Sequence, residues 1–309
     1  MYSIAVHGGA GTIVKEQMTP ELEKQYKDAL EMAVSEGEKI LAKGGLAIDA
    51  VEASVKVLEN CPLFNAGKGA VFTSEGKTEM DASIMDGNGV KAGAVAFVQG
   101  VKNPISLAKE IMIDGDYVFL SGPGAKEFAI EKGLEMVSDD YFYTDFRWDQ
   151  LQQAKQHNRV QLDHTKDDRL DEKHGTVGCV AIDENGNLAA ATSTGGLTNK
   201  KYGRIGDSAI IGSGTYAENG LCAISCTGYG EYYIRGVVAY DVASLMQYAG
   251  KTLKEACDIV IHDKQVKLGS DGGLIAVDSS GNIELSFNSE GMYRASKKKG
   301  EKINVAIYK

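Results

Sequence analysis

The strongest candidate for chemistry in this chain is a threonine flanked by small residues. Thr176 follows Gly175, at the point where a charged segment gives way to an apolar one. A threonine hydroxyl is a weak nucleophile unless a base lies beside it, and its own α-amine becomes that base once the Gly175–Thr176 bond is broken. The position therefore predicts a proenzyme in which Thr176 becomes a new N-terminus. The alternative is an ordinary turn before a strand.

Two further threonines end apolar segments downstream. Thr194 lies in TSTGG, at the end of the strand expected to pair with the one that follows Thr176. Thr227 lies in CTGYG, at the end of another apolar run. An antiparallel hairpin would return Thr194 to the neighbourhood of Thr176. The alternative for Thr194 and Thr227 is simple capping of a strand end.

A cation and an anion stand three residues apart in the glycine-containing segment GRIGDS. Arg204 can hold an α-carboxylate through two parallel hydrogen bonds, and Asp207 can accept an α-ammonium group. The pair therefore suggests a clamp for a free amino acid. The alternative is a surface salt bridge, which is the commoner fate of such a pair.

Two glycine-containing loops have less specific meanings. The segment HGGAG, residues 7–11, lacks the following helix start and Lys-Ser/Thr of a phosphate loop. No serine of the chain lies in the G-x-S-x-G elbow that an α/β-hydrolase would need. In the segment CPLFNAGKG, residues 61–69, Asn65 could donate a hydrogen bond, or the carbonyls could surround a monovalent cation. A simple turn is an equally good interpretation of the second loop.

Composition limits the classes of function. The chain has 309 residues, 43% of them hydrophobic and 25% charged, with a net charge of −10, so a nucleic-acid-binding face is not expected. No apolar run is long enough to span a membrane, and residues 1–7 lead directly into a strand pattern, which favours the cytoplasm. The five cysteines lack C-x-x-C spacing and the five histidines lack zinc-ligand spacing. We therefore expect reduced thiols and no catalytic metal or cofactor.

The elements that must position these residues alternate between helices and strands. Thr19, Pro20 and Glu21 form a typical helix start, which predicts one helix to about Lys43 and a second from Ala47 to about Leu58. Two segments share the pattern A-[IV]-D-x-x-G-N-[LI], which predicts two tight hairpins. Further strands are expected at 3–7, 92–98, 118–120, 178–182, 188–194, 221–227, 273–277, 283–287 and 303–308, and further helices at 104–114, 124–132, 232–248 and 253–267. Strands in the middle and at both ends, with helix pairs between them, favour a four-layer α/β sandwich in a single domain of residues 1–309.

One segment departs from this pattern. Residues 147–173 are rich in charge and glutamine and have no repeating apolar stripe, so they are the best candidate for a mobile linker leading to Thr176. For the first half, residues 149–157, a solvated surface helix is an equally good interpretation.

Taken together, these segments resemble the plant-type asparaginase / isoaspartyl peptidase family of Ntn-hydrolases. The resemblance covers essentially the whole chain through HGGAGTI, CPLFNAGKGAVFT, EMDASIMDG, HGTVG, AATSTGGLTNK, GRIGDS, SCTGYGE, GGLIAVD and FNSEGMYR. It implies an αββα sandwich and self-cleavage before the threonine. The products would be an α-chain of residues 1–175, with its linker at about 147–175, and a β-chain of residues 176–309. It also implies a dimer of cleaved αβ protomers.

The resemblance implies a role for each matching residue. Thr176 would be the nucleophile, Thr194 would orient its hydroxyl, and the Thr227 hydroxyl with the Gly228 N–H would form the oxyanion hole. Asn65 would lie near the nucleophile. The substrate's α-carboxylate and α-amine would be bound by Arg204, Asp207, Gly228 and Gly230.

The two glycine-containing loops acquire roles by the same similarity. Gly9 and Gly11 would lie beside Thr176 and matter for maturation. A structural sodium ion would be held by the main-chain carbonyls of Leu58, Glu59, Cys61, Phe64, Ala66 and Lys68. Lys68 replaces a residue that is usually small or apolar in relatives.

The resemblance predicts hydrolysis of β-aspartyl dipeptides and of L-asparagine, with release of L-aspartate. Two alternatives remain at this point. One is a glycosylasparaginase-type amidase, which would normally be exported. The other is an uncleaved relative that only binds amino acids.

Overall fold

A computed structural model describes residues 1–13, 15–156 and 175–309. The described strands form two sheets. They are β1 Ser3–Gly11, β2 Met80–Asp86, β3 Lys91–Val98, β4 Phe119–Ser121, β5 Val177–Ile182, β6 Leu188–Thr194, β7 Thr215–Glu218, β8 Cys222–Gly228, β9 Gly272–Asp278, β10 Ile283–Phe287, β11 Gly291–Lys298 and β12 Asn304–Tyr308. The large sheet has the order β12-β11-β1-β5-β6-β2-β3-β4, and the small sheet has the order β10-β9-β8-β7.

The helices flank these sheets. They are α1 Pro20–Leu41, α2 Ala47–Glu59, α3 Pro104–Asp114, α4 Gly122–Glu131, α5 Asp145–Gln156, α6 Gly230–Gly236, α7 Val238–Ala249, α8 Leu253–Asp258 and α9 Gln265–Leu268, with a π-helix at Ile259–Lys264 between the last two. The start of α1 is as expected, because Thr19 accepts a hydrogen bond from the Leu22 N–H and Pro20 is the first helical residue.

Side-chain alternation along the strands divides the core into two clusters. On β5, Val177, Cys179 and Ala181 belong to the cluster shared with α1, α2 and α3. The intervening Val180 and Ile182 belong to the cluster shared with β8, β9, α7 and α8. Because successive strand residues face opposite sides of a sheet, the large sheet has helices on one face and the small sheet on the other. The mixed α/β class and the presence of two sheets are confirmed.

Both predicted hairpins are present. They join β5 to β6 and β9 to β10 in antiparallel pairs. In the first turn the carboxylate of Asp183 accepts hydrogen bonds from the N–H groups of Asn185 and Asn187. Asp278 does the same for Ser280 and Asn282 in the second turn. The shared sequence pattern therefore reflects one turn chemistry used twice.

Several element predictions were wrong in detail. The single helix expected at 232–248 is interrupted at Val237, whose φ of 48° separates α6 from α7. The helix expected at 253–267 contains the π-helical turn. Strands β2, β7 and β11 were not predicted, because their polar residues hide the alternating pattern. No helix in the described part of the chain is long and apolar enough to cross a membrane.

The first part of the segment expected to act as a linker is helical, in agreement with the alternative interpretation given for residues 149–157. Residues 147–156 belong to α5, where Arg147, Leu151 and Ala154 are buried. The Arg147 Nε donates to the Gly69 carbonyl at 2.7 Å, and Nη1 donates to Gln150 Oε1 at 2.9 Å. This buried cation explains why the first part of the segment is helical despite its polar composition. Residues 157–174, which include the rest of the expected linker, lie outside the described residues.

We predict that Arg147→Met lowers the stability of the protein. The substitution removes a charged donor from the Gly69 carbonyl, and hydrogen bonds to charged groups contribute about 2 kcal/mol. The measurement is the midpoint of thermal unfolding, with Lys155→Met, an exposed position on the same helix, as control. Equal midpoints for the two variants would show that Arg147 does not anchor α5.

Candidate active site

The candidate site lies where β5 begins and β6 ends. Val177 pairs with Ser193 across these two strands, so the next residues outward are Thr176 and Thr194. Both are buried, and both line one small pocket. The predicted return of Thr194 to the neighbourhood of Thr176 therefore follows from the register of a single hairpin.

Most of the catalytic and substrate-binding residues expected from the sequence line this pocket. The expected residues that line it are Asn65, Gly175, Thr176, Thr194, Arg204, Asp207 and Gly228. Ser208 also lines it and was not predicted. Its Oγ lies 3.3 Å from the Thr176 Oγ1, and either hydroxyl can be the donor. The position of Ser208, directly after Asp207, was the only signal in the sequence.

The glycine loop packs against the peptide before Thr176. A Cβ atom on Gly9 would lie 2.6 Å from the Gly175 nitrogen, and Gly9 has a φ of 110°. Only glycine therefore allows β1 and the Gly175 backbone to approach this closely. Gly11 is further along the strand, paired with Gly291 of β11. The structure brings Gly9 against the residue before the threonine.

Thr227, the third expected threonine, lies on β8 of the small sheet and contacts the glycine loop of residues 7–11. Thr227 Oγ1 accepts a hydrogen bond from the Ala10 N–H at 3.3 Å. Gly228, the next residue, lines the pocket, and a Cβ on it would lie 2.4 Å from the ring of Tyr233. Thr227 is thus held against the glycine loop, and Gly228 is confined between Tyr233 and the pocket.

Arg204 does not pair directly with Asp207. Instead, its Nε and Nη2 donate to the two carboxylate oxygens of Glu231 at 2.9 and 2.7 Å. Glu231 was not predicted, although it follows the CTGYG motif directly. Gly230 lies against the guanidinium, since a Cβ there would be 2.7 Å from Nη2. The alternative of a salt bridge between Arg204 and Asp207 is therefore wrong.

Asp207 is a buried carboxyl group. Its Oδ2 has no hydrogen-bond partner in the described part of the chain. Burial raises the pKa of Asp207 to about 7, and the nearby Arg204 opposes this rise. A buried carboxyl group with one such oxygen, in a pocket that already contains a guanidinium, is suited to receive a cationic group.

Asn65 is fixed by the loop after β6. Its amide nitrogen donates to the Gly196 carbonyl at 2.8 Å, and its Oδ1 accepts from the Val71 N–H at 3.0 Å. Thr194 Oγ1 accepts from the Gly196 N–H at 3.0 Å. Asn65 and Thr194 are therefore tied to the same short turn beside the nucleophile candidate.

In the loop proposed for a cation, two glycines lie close to main-chain carbonyls. A Cβ on Gly67 would lie 2.3 Å from the Glu59 carbonyl oxygen, and one on Gly69 would lie 2.1 Å from that of Phe64. The Glu59 carboxyl group points elsewhere, to the Ser193 hydroxyl at 2.7 Å. The Lys68 Nζ lies 5.4 Å from the Tyr141 ring centroid, so its charge is partly engaged there.

These carbonyls already accept some hydrogen bonds. The oxygens of Leu58, Phe64 and Ala66 accept from main-chain N–H groups at 3.2, 2.9 and 3.1 Å. Each carbonyl retains a second lone pair. The donor set is all oxygen and fits a hard cation such as sodium.

The fold and the pocket together suit an amide hydrolase. A comparison with known families matches residues 1–307 to the family described as "Asparaginase". This match covers almost the whole chain, and the chain belongs to the asparaginase family.

Curated relatives match this chain over most of their own length and have related names. The isoaspartyl peptidase of Escherichia coli (strain K12) is 50% identical over 308 residues, which cover 99% of this chain and 96% of the relative. The isoaspartyl peptidase of Salmonella typhimurium is 51% identical, with 99% and 98% covered. The isoaspartyl peptidase/L-asparaginase of Homo sapiens is 39% identical, with 96% and 94% covered.

Proposed function

We propose that this protein is an autoprocessing threonine amidohydrolase that cleaves β-aspartyl dipeptides and L-asparagine and releases L-aspartate. The observation that carries the proposal is the shared pocket, in which Thr176 lies beside Arg204 and Asp207. Thr176 would supply the nucleophile, and the opposite charges of Arg204 and Asp207 suit the carboxylate and ammonium groups of an amino acid. The names of the curated relatives agree with these substrates.

The first reaction is cleavage of the chain itself. The Thr176 Oγ attacks the Gly175 carbonyl carbon, the C–N bond breaks, and the acyl group moves from nitrogen to oxygen. Water then hydrolyses the ester. The products are an α-chain that ends in the Gly175 carboxylate and a β-chain that begins with the free α-amine of Thr176. The close contact of Gly9 with Gly175 supports this step, because it restricts the conformation of the peptide to be cut.

The second reaction uses the same hydroxyl on a substrate. The α-amine, with an ordinary pKa of about 7.7–8.0, takes the hydroxyl proton near neutral pH. The Oγ attacks the side-chain amide carbon of the substrate, and ammonia or an amino acid leaves with that proton. Water hydrolyses the resulting aspartyl ester and releases L-aspartate.

Four groups would assist the nucleophile. The Thr227 hydroxyl and the Gly228 N–H form the oxyanion hole, where one donor contributes roughly 2.7–4 kcal/mol to lowering a barrier. Thr194 orients the Thr176 hydroxyl. Asn65, held by the Gly196 carbonyl, supports the same turn. The positions of Asn65, Thr194 and Gly228 around one pocket support their assignments, and Thr227 precedes Gly228 and contacts the glycine loop at the Ala10 N–H.

The substrate would be held by its free amino acid end. Arg204 binds the α-carboxylate while remaining in contact with Glu231, and the ionised Asp207 binds the α-ammonium. The carbonyls of Gly228 and Gly230 complete the ammonium site. The buried Oδ2 of Asp207, without a partner among the described residues, supports this role.

The same proposal extends to the architecture. We infer a four-layer αββα sandwich of the Ntn-hydrolase type and a dimer of cleaved αβ protomers, as the family resemblance implies. The helix-covered faces of both sheets support the layer order. We also infer a structural sodium ion in the loop of residues 58–68, supported by the close packing of Gly67 and Gly69 against the Glu59 and Phe64 carbonyls. The sodium ion would stabilise this loop and take no part in catalysis.

We predict that the purified chain separates into two fragments that meet at Gly175 and Thr176. Thr176→Ala should prevent the cleavage, because the attacking oxygen is absent. Intact mass spectrometry of fresh and aged protein measures both, and turnover of a β-aspartyl dipeptide, L-asparagine and glycosylated asparagine should follow the cleaved fraction. A permanently whole chain without activity would contradict the proposal, and exclusive turnover of the glycosylated substrate would assign the enzyme to the glycosylasparaginases.

We predict that Gly9→Ala slows the self-cleavage by about tenfold or more, since small misplacements of reacting groups carry penalties of this size. The new methyl group would contact the Gly175 backbone. Gly44→Ala is the matched control, because Gly44 also has a positive φ but has open space around its Cα. The cleaved fraction over time is the measurement. Equal rates for the two variants would mean that the contact with Gly175 is unimportant.

We predict that the competitive inhibition constant of L-aspartate rises as the pH falls below about 7. The Asp207 carboxyl, with a pKa of about 7, must be ionised to hold the ammonium group, so affinity should fall about tenfold for each further pH unit. N-acetyl-L-aspartate, which has no ammonium group, should not show this loss. An inhibition constant of L-aspartate that does not change between roughly pH 5 and 8 would refute the role of Asp207.

A further inference from the structure

A continuous row of buried polar side chains connects the two sheets. We call it the hydroxyl row, and it comprises His7, Ser225, Thr192, Thr215 and Ser83. The His7 Nε2 lies 2.9 Å from Ser225 Oγ, which lies 2.7 Å from Thr192 Oγ1. Thr215 Oγ1 donates to Thr192 Oγ1 at 2.5 Å, and Ser83 Oγ lies 2.7 Å from Thr215 Oγ1.

The hydroxyl row is unusual because of where it runs. Its members come from five strands, β1, β8, β6, β7 and β2, and each is fully buried. The surrounding interior is mainly aliphatic. A buried hydroxyl lowers stability unless it is hydrogen-bonded, and replacing all five by apolar residues would avoid that requirement altogether. We therefore expect a row of this length to do more than pack the core.

The hydrogen bonds of the row form one connected series. The Ser83 hydroxyl has one proton and two acceptors within reach, the Ser208 carbonyl and Thr215 Oγ1. Thr215 Oγ1 donates to Thr192 Oγ1, and the Thr192–Ser225 and Ser225–His7 contacts complete the series. Connected hydrogen bonds strengthen one another, so the row holds its five strands in one arrangement.

Both ends of the row reach the segment that contains the nucleophile. At one end, Ser83 Oγ also lies 2.6 Å from the Ser208 carbonyl, and the Ser208 hydroxyl contacts the Thr176 Oγ1. At the other end, His7 precedes Gly9 on β1, and Gly9 packs against Gly175. The two groups that border the Gly175–Thr176 bond are thus connected through the interior of the protein.

We propose that the hydroxyl row is a positioning device that holds Ser208 and the glycine loop in register with the Thr176 hydroxyl. This inference rests on the proposed function, because it concerns the same nucleophile. Ser208 acts directly, through its contact with the Thr176 Oγ1. Ser83, Thr215, Thr192, Ser225 and His7 are positioning residues, since they act through Ser208 or the glycine loop.

The role makes a distinctive kinetic prediction. The row does not contact Arg204 or Asp207 side chains, so its loss should leave substrate affinity nearly unchanged. It should reduce the rate of both reactions that use the Thr176 hydroxyl, by about tenfold, because both depend on the placement of that oxygen. A purely structural role would instead lower the unfolding midpoint and leave kcat of the folded protein unchanged.

The test compares Thr192→Val, which keeps the shape and removes the hydroxyl, with Thr192→Ser, which keeps the hydroxyl. Ser54→Ala is the matched control, because Ser54 is a buried hydroxyl on the opposite, helix-covered side of the large sheet. Self-cleavage rate, kcat and KM for a β-aspartyl dipeptide are measured. We expect Thr192→Val to lose about tenfold in cleavage rate and kcat with KM within about twofold, and Thr192→Ser to recover most of the loss.

A double variant separates positioning from other effects. If the row acts through Ser208, Thr192→Val should cause little further loss of kcat in a Ser208→Ala background. Full additivity, or unchanged kcat in Thr192→Val, would overturn the proposal. Ser83→Ala provides the same comparison if Thr192→Val does not fold. Inactivity of the wild type and Ser54→Ala would instead count against the proposed function itself.

Discussion

The antiparallel pairing of β5 with both of its neighbours is the constraint on which the rest of the site depends. Pairing with β6 places Thr176 opposite Thr194, and pairing with β1 continues toward Gly9. A shift of one residue in either register would turn the Thr176 side chain to the other face of the sheet. The turn between β5 and β6 and the alternating core residues of β5 therefore determine the direction of the Thr176 side chain as well as the stability of the sheet.

The charged residues of the pocket are the second feature on which the proposed site depends. Arg204 is held by Glu231 through two hydrogen bonds, while Asp207 has a buried oxygen that no described group satisfies. A zwitterionic amino acid adds one negative and one positive group to this arrangement. In the proposed function, the pocket would discriminate by charge at the end of the substrate that does not react, with the amide near Thr176, which lines the same pocket. Recognition and chemistry on different groups would then allow one nucleophile to serve both self-cleavage and turnover.

Much of the fold followed from local signals. The cap of α1, the bounds of α3 and β6, and both Asp-capped hairpins were predictable because each depends on residues close in sequence. Strands β2, β7 and β11 were not, because the serines and threonines of β2 and β7 face the interior and obscure the alternation. The helix at Asp145 was obscured for a similar reason, since its stability depends on Arg147 reaching a distant carbonyl.

The residues of the site could likewise be predicted where a local motif contains them, and not where their role depends on a contact between residues distant in sequence. The family resemblance named the pocket residues, and the structure places most of them together. Glu231 and Ser208 were missed because their partners, Arg204 and Thr176, are far away in sequence. The hydroxyl row was equally hidden, since its members come from five strands of two sheets. Polar contacts between sheets leave no periodic pattern that a single sequence can reveal.

In the proposed function, the Thr176 oxygen forms the bond to the substrate. The most direct test stops the reaction with a β-aspartyl dipeptide in acid and maps the modified peptides of the β-chain by mass spectrometry. We expect an aspartyl ester on Thr176 at the new N-terminus. An aspartyl ester on another hydroxyl, such as Thr194 or Thr227, with Thr176 unmodified, would contradict it.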